Sequence, residues 1–230
     1  MKILVLGSYP PDRLLSIERY ESLLKQIASV GDEVEIELLC PTAICNHSLR
    51  PYAGLPKWLG YIDTYILVLP RLIAALRRSD VLHISDQGVA LHLNLPLRFL
   101  ARLGLTKKAL KVSVTVHDLI AIRKARGDFN QEAGFMGKLL QRLNARGLSK
   151  ADCLTFDSEE TRRDYEQIIS SDQSGIVIPN TLDPKFLNHQ EVASEREPYF
   201  LHVGVGAWYK NREYLIEIFA ELLGLSLIHI

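Results

Sequence analysis

The stretch Lys111–Arg123, KVSVTVHDLIAIR, decides how the rest of the chain is interpreted. Its run of β-branched residues bounded by charge is typical of a central strand covered on both faces. The strand ends in His117-Asp118, and in open parallel sheets ligands bind beyond the carboxyl ends of the strands. Two interpretations are open here: the pair lies in a ligand-binding crevice, or His117 hydrogen-bonds inside the core and Asp118 caps the next helix.

The sequence before this stretch predicts a β-α-β opening. Strands are expected at Lys2–Leu6 and Glu33–Leu39, with a helix between them that begins at Ser16. The apolar face expected for that helix consists of Ile17, Leu24, Ile27 and Ala28. This order implies a parallel sheet with a right-handed crossover. Next we expect a loop over Pro41–Pro56, a helix over Tyr61–Arg78, a strand over Asp80–Ile84 and a helix over Val89–Leu103 that is kinked at Pro96.

The sequence after the central strand continues the alternation of strands and helices. A mobile loop is expected over Arg123–Gly137 and a helix over Met136–Leu148. A strand over Asp152–Phe156 is followed by Ser-Glu-Glu-Thr, which is typical of a helix start with favourable acidic groups in the first turn. A last strand of this domain is expected over Gly175–Ile178.

The domain organisation follows from a polar segment near the end of the chain. We predict a domain at 1–187, a linker at 188–198 and the start of a second Rossmann-like domain at 199–230, with a strand over Tyr199–Val203 and a helix over Lys210–Leu223. About 35 residues cannot bury a core by themselves, so we expect the chain to be truncated at its C-terminal end. The predicted fold class is α/β, a Rossmann-like parallel sheet plus the first β-α unit of a second domain.

Composition excludes several classes of protein. The 27 basic and 27 acidic residues balance, so nucleic acid is not an expected partner. Three cysteines without C-x-x-C spacing favour a reduced, cytoplasmic protein. We expect no segment of membrane-spanning length.

The common nucleotide and metal motifs do not occur. There is no G-x-G-x-x-G, P-loop, Asp-x-Asp chelate or G-x-S-x-G elbow, and His83 and His92 are interpreted as structural. We therefore expect no metal. What remains are polar groups after predicted strands, which together point to one crevice: Ser85-Asp86-Gln87, His117-Asp118, Asp157-Ser158-Glu159, Pro179-Asn180 and Gly204 to Arg212.

The order of these segments resembles the GT-B-fold retaining glycosyltransferases of family 4, the group 1 glycosyltransferases. The resemblance is carried by DVLHISDQ at Asp80–Gln87, VTVHDL at Val114–Leu119, TFDSEETRRDY at Thr155–Tyr165, IPNTLDPKF at Ile178–Phe186 and YFLHVGVGAWYKNREYLIEIFAEL at Tyr199–Leu222. It implies two Rossmann domains with the active site between them, the first holding the acceptor and the second a nucleotide-diphosphate sugar. Two features depart from the family. Val205 stands where many members carry an arginine, and the paired glutamates that hold the donor would lie beyond the end of the chain.

The resemblance also implies site residues. His117 matches the histidine that contacts the transferred sugar, with Asp118 expected to orient His117 or the loop. Lys210 matches the lysine that neutralises the donor diphosphate, which suits the charge that grows on such a leaving group. The other predicted donor-binding positions are Gly204, Gly206, Asn211, Arg212 and Asn180. Asn180 serves equally well as an ordinary Asx-turn, and Lys210 and Arg212 as solvated helix residues.

We therefore expect a retaining glycosyltransferase of the hexosyl- or mannosyltransferase type, acting in polysaccharide biosynthesis and inactive as this fragment alone. It would transfer from a nucleotide sugar to a glycan or lipid-linked acceptor without a further cofactor. Basic residues between Arg98 and Arg126, Lys107 and Lys108 among them, predict peripheral contact with the cytoplasmic membrane face, or else a solvated helix face. The alternatives are a GT-B-like sugar-nucleotide epimerase and a non-catalytic Rossmann-type interaction module.

Overall fold

The computed structural model describes residues 1–28, 33–46, 54–95, 97–107, 109–169, 173, 175–181, 201–204 and 207–226. The chain divides into two compact units, Met1–Thr181 and Leu182–Ile230. Five predicted features lie outside the described residues: Gly206, the kink at Pro96, the linker at 188–198, the basic residue Lys108 and the last four residues.

The first unit is built on a six-stranded sheet in the order β2-β1-β3-β4-β5-β6, with every neighbouring pair parallel. The fold is therefore a Rossmann-like α/β fold, as predicted. All six strands predicted for this unit are present, and their boundaries differ from the predicted ones by at most two residues. The strands are β1 (Lys2–Leu6), β2 (Glu35–Leu39), β3 (Val81–Ile84), β4 (Lys111–Val116), β5 (Cys153–Phe156) and β6 (Gly175–Val177).

Seven α-helices are described in the first unit. They are α1 (Leu15–Ala28), α2 (Leu55–Ile62), α3 (Leu69–Leu76), α4 (Leu97–Arg102), α5 (Ile120–Arg126), α6 (Phe135–Leu148) and α7 (Glu159–Ile168). A π-helical turn over Asp63–Leu67 joins α2 to α3, and a 3-10 helix over Gln87–Asn94 precedes α4. As predicted, Ser158 caps α7 by accepting a hydrogen bond from the Thr161 N–H.

Several helix predictions were wrong in detail. Ser16 lies inside α1, which begins at Leu15, and Ile27 of the expected apolar face is exposed. The helix predicted from Tyr61 begins at Leu55 instead, because Pro56 is favourable in a first helical turn. The loop expected from Arg123 begins after α5 instead, since Gly127 adopts the left-handed conformation that ends this helix.

The two faces of the sheet differ in polarity. One face carries the core, with Leu6, Ile84, Val114 and Leu154 side by side on neighbouring strands. The other face carries a polar row of His83, Ser113, Thr115 and Thr155 in which His83 Nδ1 lies 2.8 Å from Ser113 Oγ and the two threonine hydroxyls are 2.7 Å apart. From α1, the Tyr20 hydroxyl joins this row at 2.8 Å from Thr115 Oγ1. Burial lowers the pKa of His83 to about 4, so this histidine is a neutral structural residue, as predicted.

The segment Leu55–Leu76 contradicts the expectation that no segment has membrane-spanning length. It spans 22 residues with a mean hydropathy of 1.5, which by length and composition alone is enough to cross a membrane. In the folded unit its inner side packs on the core through Val68, Leu72 and Leu76. A core helix meets the same criterion, so the finding by itself assigns no membrane span.

The second unit is described over residues 201–204 and 207–226. A 3-10 turn over Trp208–Lys210 precedes α8 (Arg212–Ser226). The strand predicted over Tyr199–Val203 is not formed at 201–203, and its first two residues lie outside the described ranges. The predicted helix from Lys210 begins two residues later, because Asn211 has a left-handed φ of 46° that separates the turn from α8.

Candidate active site

The carboxyl ends of β3, β4 and β5 bring three of the predicted polar segments together. These segments are Ser85–Gln87, His117–Asp118 and Asp157–Ser158. The three strands are parallel neighbours, so the residues that follow them emerge at one edge of the sheet. His117 lies at the centre of this group and contacts both adjacent segments.

Five neighbours hold His117, among them the Thr161 hydroxyl, which donates to its carbonyl oxygen at 3.2 Å. Its backbone N–H donates to Gln87 Oε1 at 3.0 Å, and its ring Nε2 lies 3.0 Å from the Ser85 carbonyl oxygen. Its ring Nδ1 lies 3.7 Å from Asp157 Oδ2. The Tyr20 ring meets the imidazole edge-on, with centroids 5.2 Å apart. His117 thus hydrogen-bonds within the protein, as one interpretation expects, and stands at the strand ends; its place in a ligand-binding crevice stays a prediction.

These contacts determine what the His117 imidazole can do. A carbonyl oxygen only accepts hydrogen bonds, so the contact with Ser85 requires a proton on Nε2. Nδ1 faces the Asp157 carboxylate, 3.7 Å away. The His117 side chain is 11% exposed. A ring held in this way has a fixed orientation at the strand ends, so it can present a polar group to a substrate without rearranging.

Asp118 has a different environment from the one expected. Its Oδ1 accepts a hydrogen bond from the Ile120 N–H at 3.1 Å, at the start of α5. The carboxylate that faces the His117 ring belongs to Asp157 instead. Asp118 therefore shapes the loop into α5, but the N-cap of this helix is Leu119, so the capping interpretation is wrong in that detail. The assignment of Asp118 as a catalytic residue stays a prediction.

Glu21 is a site residue that the sequence interpretation missed. This α1 carboxylate is 4% exposed, and its Oε1 accepts from the Ser8 N–H at 2.6 Å and from the Ser85 hydroxyl at 2.7 Å. It therefore ties the loop after β1 to the residue whose carbonyl contacts His117. The available signal was helical spacing, because Glu21 lies one turn after the buried Ile17 on the expected apolar face.

The surroundings of Glu21 are tightly packed. A Cβ at Gly7 would lie 2.7 Å from Cys40 Sγ and 3.0 Å from Glu21 Oε2, so the chain needs glycine there. Burial, reinforced by the charge of Glu21, raises the pKa of the Cys40 thiol to about 11. Cys40 is thus an inert thiol, and Cys45 and Cys153 are also free.

A cavity of about 350 Å³ opens between the strand ends and α2. Its lining includes the aromatic residues Tyr9, Tyr61 and Tyr65 together with Asp86 and Lys57. Asp86 caps the 3-10 helix by accepting from the Gly88 N–H, and burial raises its pKa. Aromatic walls with a few charged groups are typical of a small-molecule site. This cavity is called the polar cavity below.

The predicted donor-binding residues lie apart from this group along the chain. Asn180 is exposed and follows β6 at the edge of the sheet. In the second unit Gly204, Lys210, Asn211 and Arg212 are all exposed. Lys210 Nζ lies 5.3 Å from the centroid of the Tyr209 ring. Over the described part of the chain, no group of three or more histidine, cysteine, aspartate or glutamate side chains could hold a metal ion.

A family model described as a glycosyl transferase 4-like domain matches residues 22–181, more than half of the chain and nearly all of the first unit. The chain belongs to the glycosyl transferase 4-like family. The matched range contains β2 to β6 and, with them, His117, Asp157 and Ser85. The family resemblance expected from the sequence is therefore confirmed, and this glycosyl transferase 4-like domain carries the strand-end site.

Comparison with solved structures finds the crystal structure of Glycyrrhiza uralensis UGT73P12 complexed with glycyrrhetinic acid 3-O-monoglucuronide. It is 10% identical in sequence to this chain, with a TM-score of 0.44 over 76% of this chain and 48% of that one. The chain thus spans about half the length of that protein. Comparison with curated proteins found no match.

Proposed function

We propose that the protein is a retaining glycosyltransferase that moves a sugar from a nucleotide-diphosphate sugar to a glycan or lipid-linked acceptor. The observation that carries this proposal is the His117 imidazole, held at the strand ends of a glycosyl transferase 4-like domain by Ser85 and Asp157. Retention, and a hexosyl or mannosyl donor, follow from the family resemblance rather than from a contact.

In this proposal His117 orients the transferred sugar. The Ser85 carbonyl fixes one ring nitrogen, and the Asp157 carboxylate lies near the other. Such fixed partners prevent the ring from rotating. The ring can then meet charge that develops near the reacting carbon without reorganising during the reaction.

Binding of the two substrates is divided between residues of different segments. The acceptor would occupy the polar cavity, where Asp86 and Tyr61 are among the polar groups in the lining. Lys210 and Arg212 would neutralise the donor diphosphate, with Gly204, Gly206, Asn211 and Asn180 near it. Exposed, flexible cations are suited to bind a multiply charged leaving group. No cofactor beyond the donor is part of the proposal, and the expected location is cytoplasmic, in polysaccharide biosynthesis.

The test is acceptor-dependent release of nucleoside diphosphate by the purified protein. Panels of UDP- and GDP-sugars would be supplied with and without glycan and lipid-linked acceptors, and products would be identified by mass spectrometry. The proposal predicts release that requires an acceptor and a glycosylated product. Release that is independent of acceptor would favour an epimerase, and an absence of nucleotide-sugar binding would contradict the proposal.

A further inference from the structure

An exposed apolar surface lies on the helical side of the first unit. We call it the α2–α6 surface, and its exposed fractions range from 37% for Ile62 to 79% for Phe135. Its members are Leu55, Trp58, Ile62, Ile66, Phe135, Met136 and Leu139. Single exposed apolar residues are ordinary, but a group of this size marks an interaction site.

The spacing of these residues shows that they form a continuous stripe. Leu55, Trp58, Ile62 and Ile66 follow one another at three- and four-residue intervals, the spacing of one helix face. The opposite side of the same segment is already buried. Its buried residues are Asp63 and Thr64 in the middle of the segment and the core residues of α3. A helix with one face on a core normally presents polar residues to water on the other. This segment presents apolar residues on both.

The charges beside this surface are basic. The sequence of α6, FMGKLLQRLNARGL, contains Lys138, Arg142 and Arg146 at four-residue intervals and no acidic residue. Lys57 lies on α2, where its ammonium group is 5.8 Å from the centroid of the Tyr61 ring. Glu132 forms an ion pair with Lys138. Apolar side chains bordered by basic ones are typical of proteins that lie on anionic lipid bilayers.

The stretch between Arg98 and Arg126, which the sequence predicts to contact the membrane, differs from the α2–α6 surface in its ion pairs. Lys107 is ion-paired with Asp80, Arg123 with Asp164 and Arg126 with Asp128. Three of the basic residues between Arg98 and Arg126 therefore have acidic partners in the fold. The α2–α6 surface combines basic and exposed apolar side chains and is the better candidate for lipid contact.

The α2–α6 surface also adjoins the polar cavity. An apolar groove of about 320 Å³ between α2 and α6 is lined by Trp58, Ile62, Ile66, Met136 and Leu139 among others. Tyr61, Tyr65 and Leu140 line both this groove and the polar cavity. A molecule with a polar head and an apolar chain could therefore reach both at once.

We propose that the α2–α6 surface docks on a lipid bilayer that contains anionic phospholipids, with Trp58 at the interface and the polar cavity opening beside the headgroups. Tryptophan favours this position because its ring is apolar at one end and polar at the other. This proposal does not depend on the proposed sugar transfer, since lipid binding can be measured without any donor.

The experiment is vesicle binding by the whole chain. Vesicles of phosphatidylcholine alone would be compared with vesicles of equimolar phosphatidylcholine and phosphatidylglycerol, by sedimentation and by tryptophan fluorescence. The chain has two tryptophans, so Trp208→Phe leaves Trp58 as the sole reporter. We expect binding to the anionic vesicles, weakened by salt, with a blue shift of the Trp58 emission.

Two variants test the assigned residues. Ile62→Glu with Ile66→Glu, both at exposed positions, should weaken binding at least ~tenfold, since glutamate is costly to place in the interface. Arg142→Glu with Arg146→Glu should weaken binding to anionic vesicles by at least ~tenfold, because each basic residue adds attraction to such lipids. The second pair keeps the test decisive if the first pair fails to fold.

The matched control is Ile27→Glu, the same substitution at an exposed isoleucine on α1, which is not a member of the α2–α6 surface. It should bind vesicles like the wild type. Three outcomes would overturn the proposal: no binding to either vesicle, equal loss in Ile27→Glu, or a dimer in sedimentation velocity that shields Trp58 from quenchers in the absence of lipid.

Discussion

At the carboxyl ends of β3 to β5 polar side chains are buried and partnered, whereas on the α2–α6 surface apolar side chains are exposed. Glu21 and His117 illustrate the first region, since each has protein partners at hydrogen-bond distance. Ile66 and Phe135 illustrate the second, with most of each side chain exposed. A buried polar group requires partners that fix its position, which suits chemistry. An exposed apolar group is stabilised when a partner removes it from water, which suits docking.

The largest expected effect concerns Asp63, a buried residue on the segment that contributes to both regions. Its carboxylate accepts from the Tyr9 hydroxyl and from the Cys45 and Asn46 N–H groups. Asp63→Ala should lower the free energy of unfolding by about 4 kcal/mol, because two buried donors and one partly buried donor lose their acceptor. Urea unfolding would measure this, with Asp63→Asn as a milder control. If the alanine variant were as stable as the wild type, the claim that buried polar groups depend on their protein partners would be wrong.

The second effect is a pH dependence from His92. Burial lowers the pKa of His92 to about 4, and its Nε2–H donates to the Thr64 carbonyl at 3.0 Å. Between the unfolded pKa near 6.5 and the folded value, the unfolded chain binds the extra proton, so stability falls as the pH falls. His92 should account for a loss of about 2 kcal/mol between pH 7 and pH 4.5.

The measurement is a series of urea titrations over that pH range. His92→Gln keeps a donor for the Thr64 carbonyl and cannot titrate, so its stability should change less with pH than that of the wild type. Identical pH profiles for the two proteins would mean that His92 is already solvated in the folded state.

A smaller effect is expected at Glu21. Glu21→Gln keeps the shape but weakens two charge-assisted hydrogen bonds, so the free energy of unfolding should fall by about 1–2 kcal/mol. The imidazole ¹⁵N signals of His117 should also shift, because the Ser85 segment loses its anchor. Glu18→Gln, one turn earlier on α1, is the control that should leave both readouts unchanged. Loss of stability without any change in the His117 signals would limit Glu21 to a purely structural role.

Local patterns explain what could be predicted from the sequence. The β-branched run of β4 predicts a buried strand, and a histidine directly after it must lie at the strand end. Ser158 caps α7 because its hydroxyl and the N–H it accepts from are close in sequence. The boundaries of α1, α2 and α5 were less accurate, since proline, glycine and tertiary packing shift helix ends.

Partnerships between distant segments could not be predicted in the same way. Asp157 and Glu21 reach His117 and Ser85 across 40 and 64 positions of sequence respectively. Their roles depend on strand order, which periodicity does not specify. The α2–α6 surface was missed for a related reason: an all-apolar helix pattern does not reveal which of its faces the core leaves uncovered.

The most direct measurement of the central claim compares sugar transfer by the wild type, His117→Ala and the control Ile27→Glu. With donor and acceptor saturating, acceptor-dependent release of nucleoside diphosphate should fall ~10²-fold or more in His117→Ala, since a polar ring held in position at the strand ends is lost. Ile27→Glu should match the wild type. If a folded His117→Ala protein transferred sugar at the wild-type rate, the claim that the strand-end site performs the reaction would be contradicted.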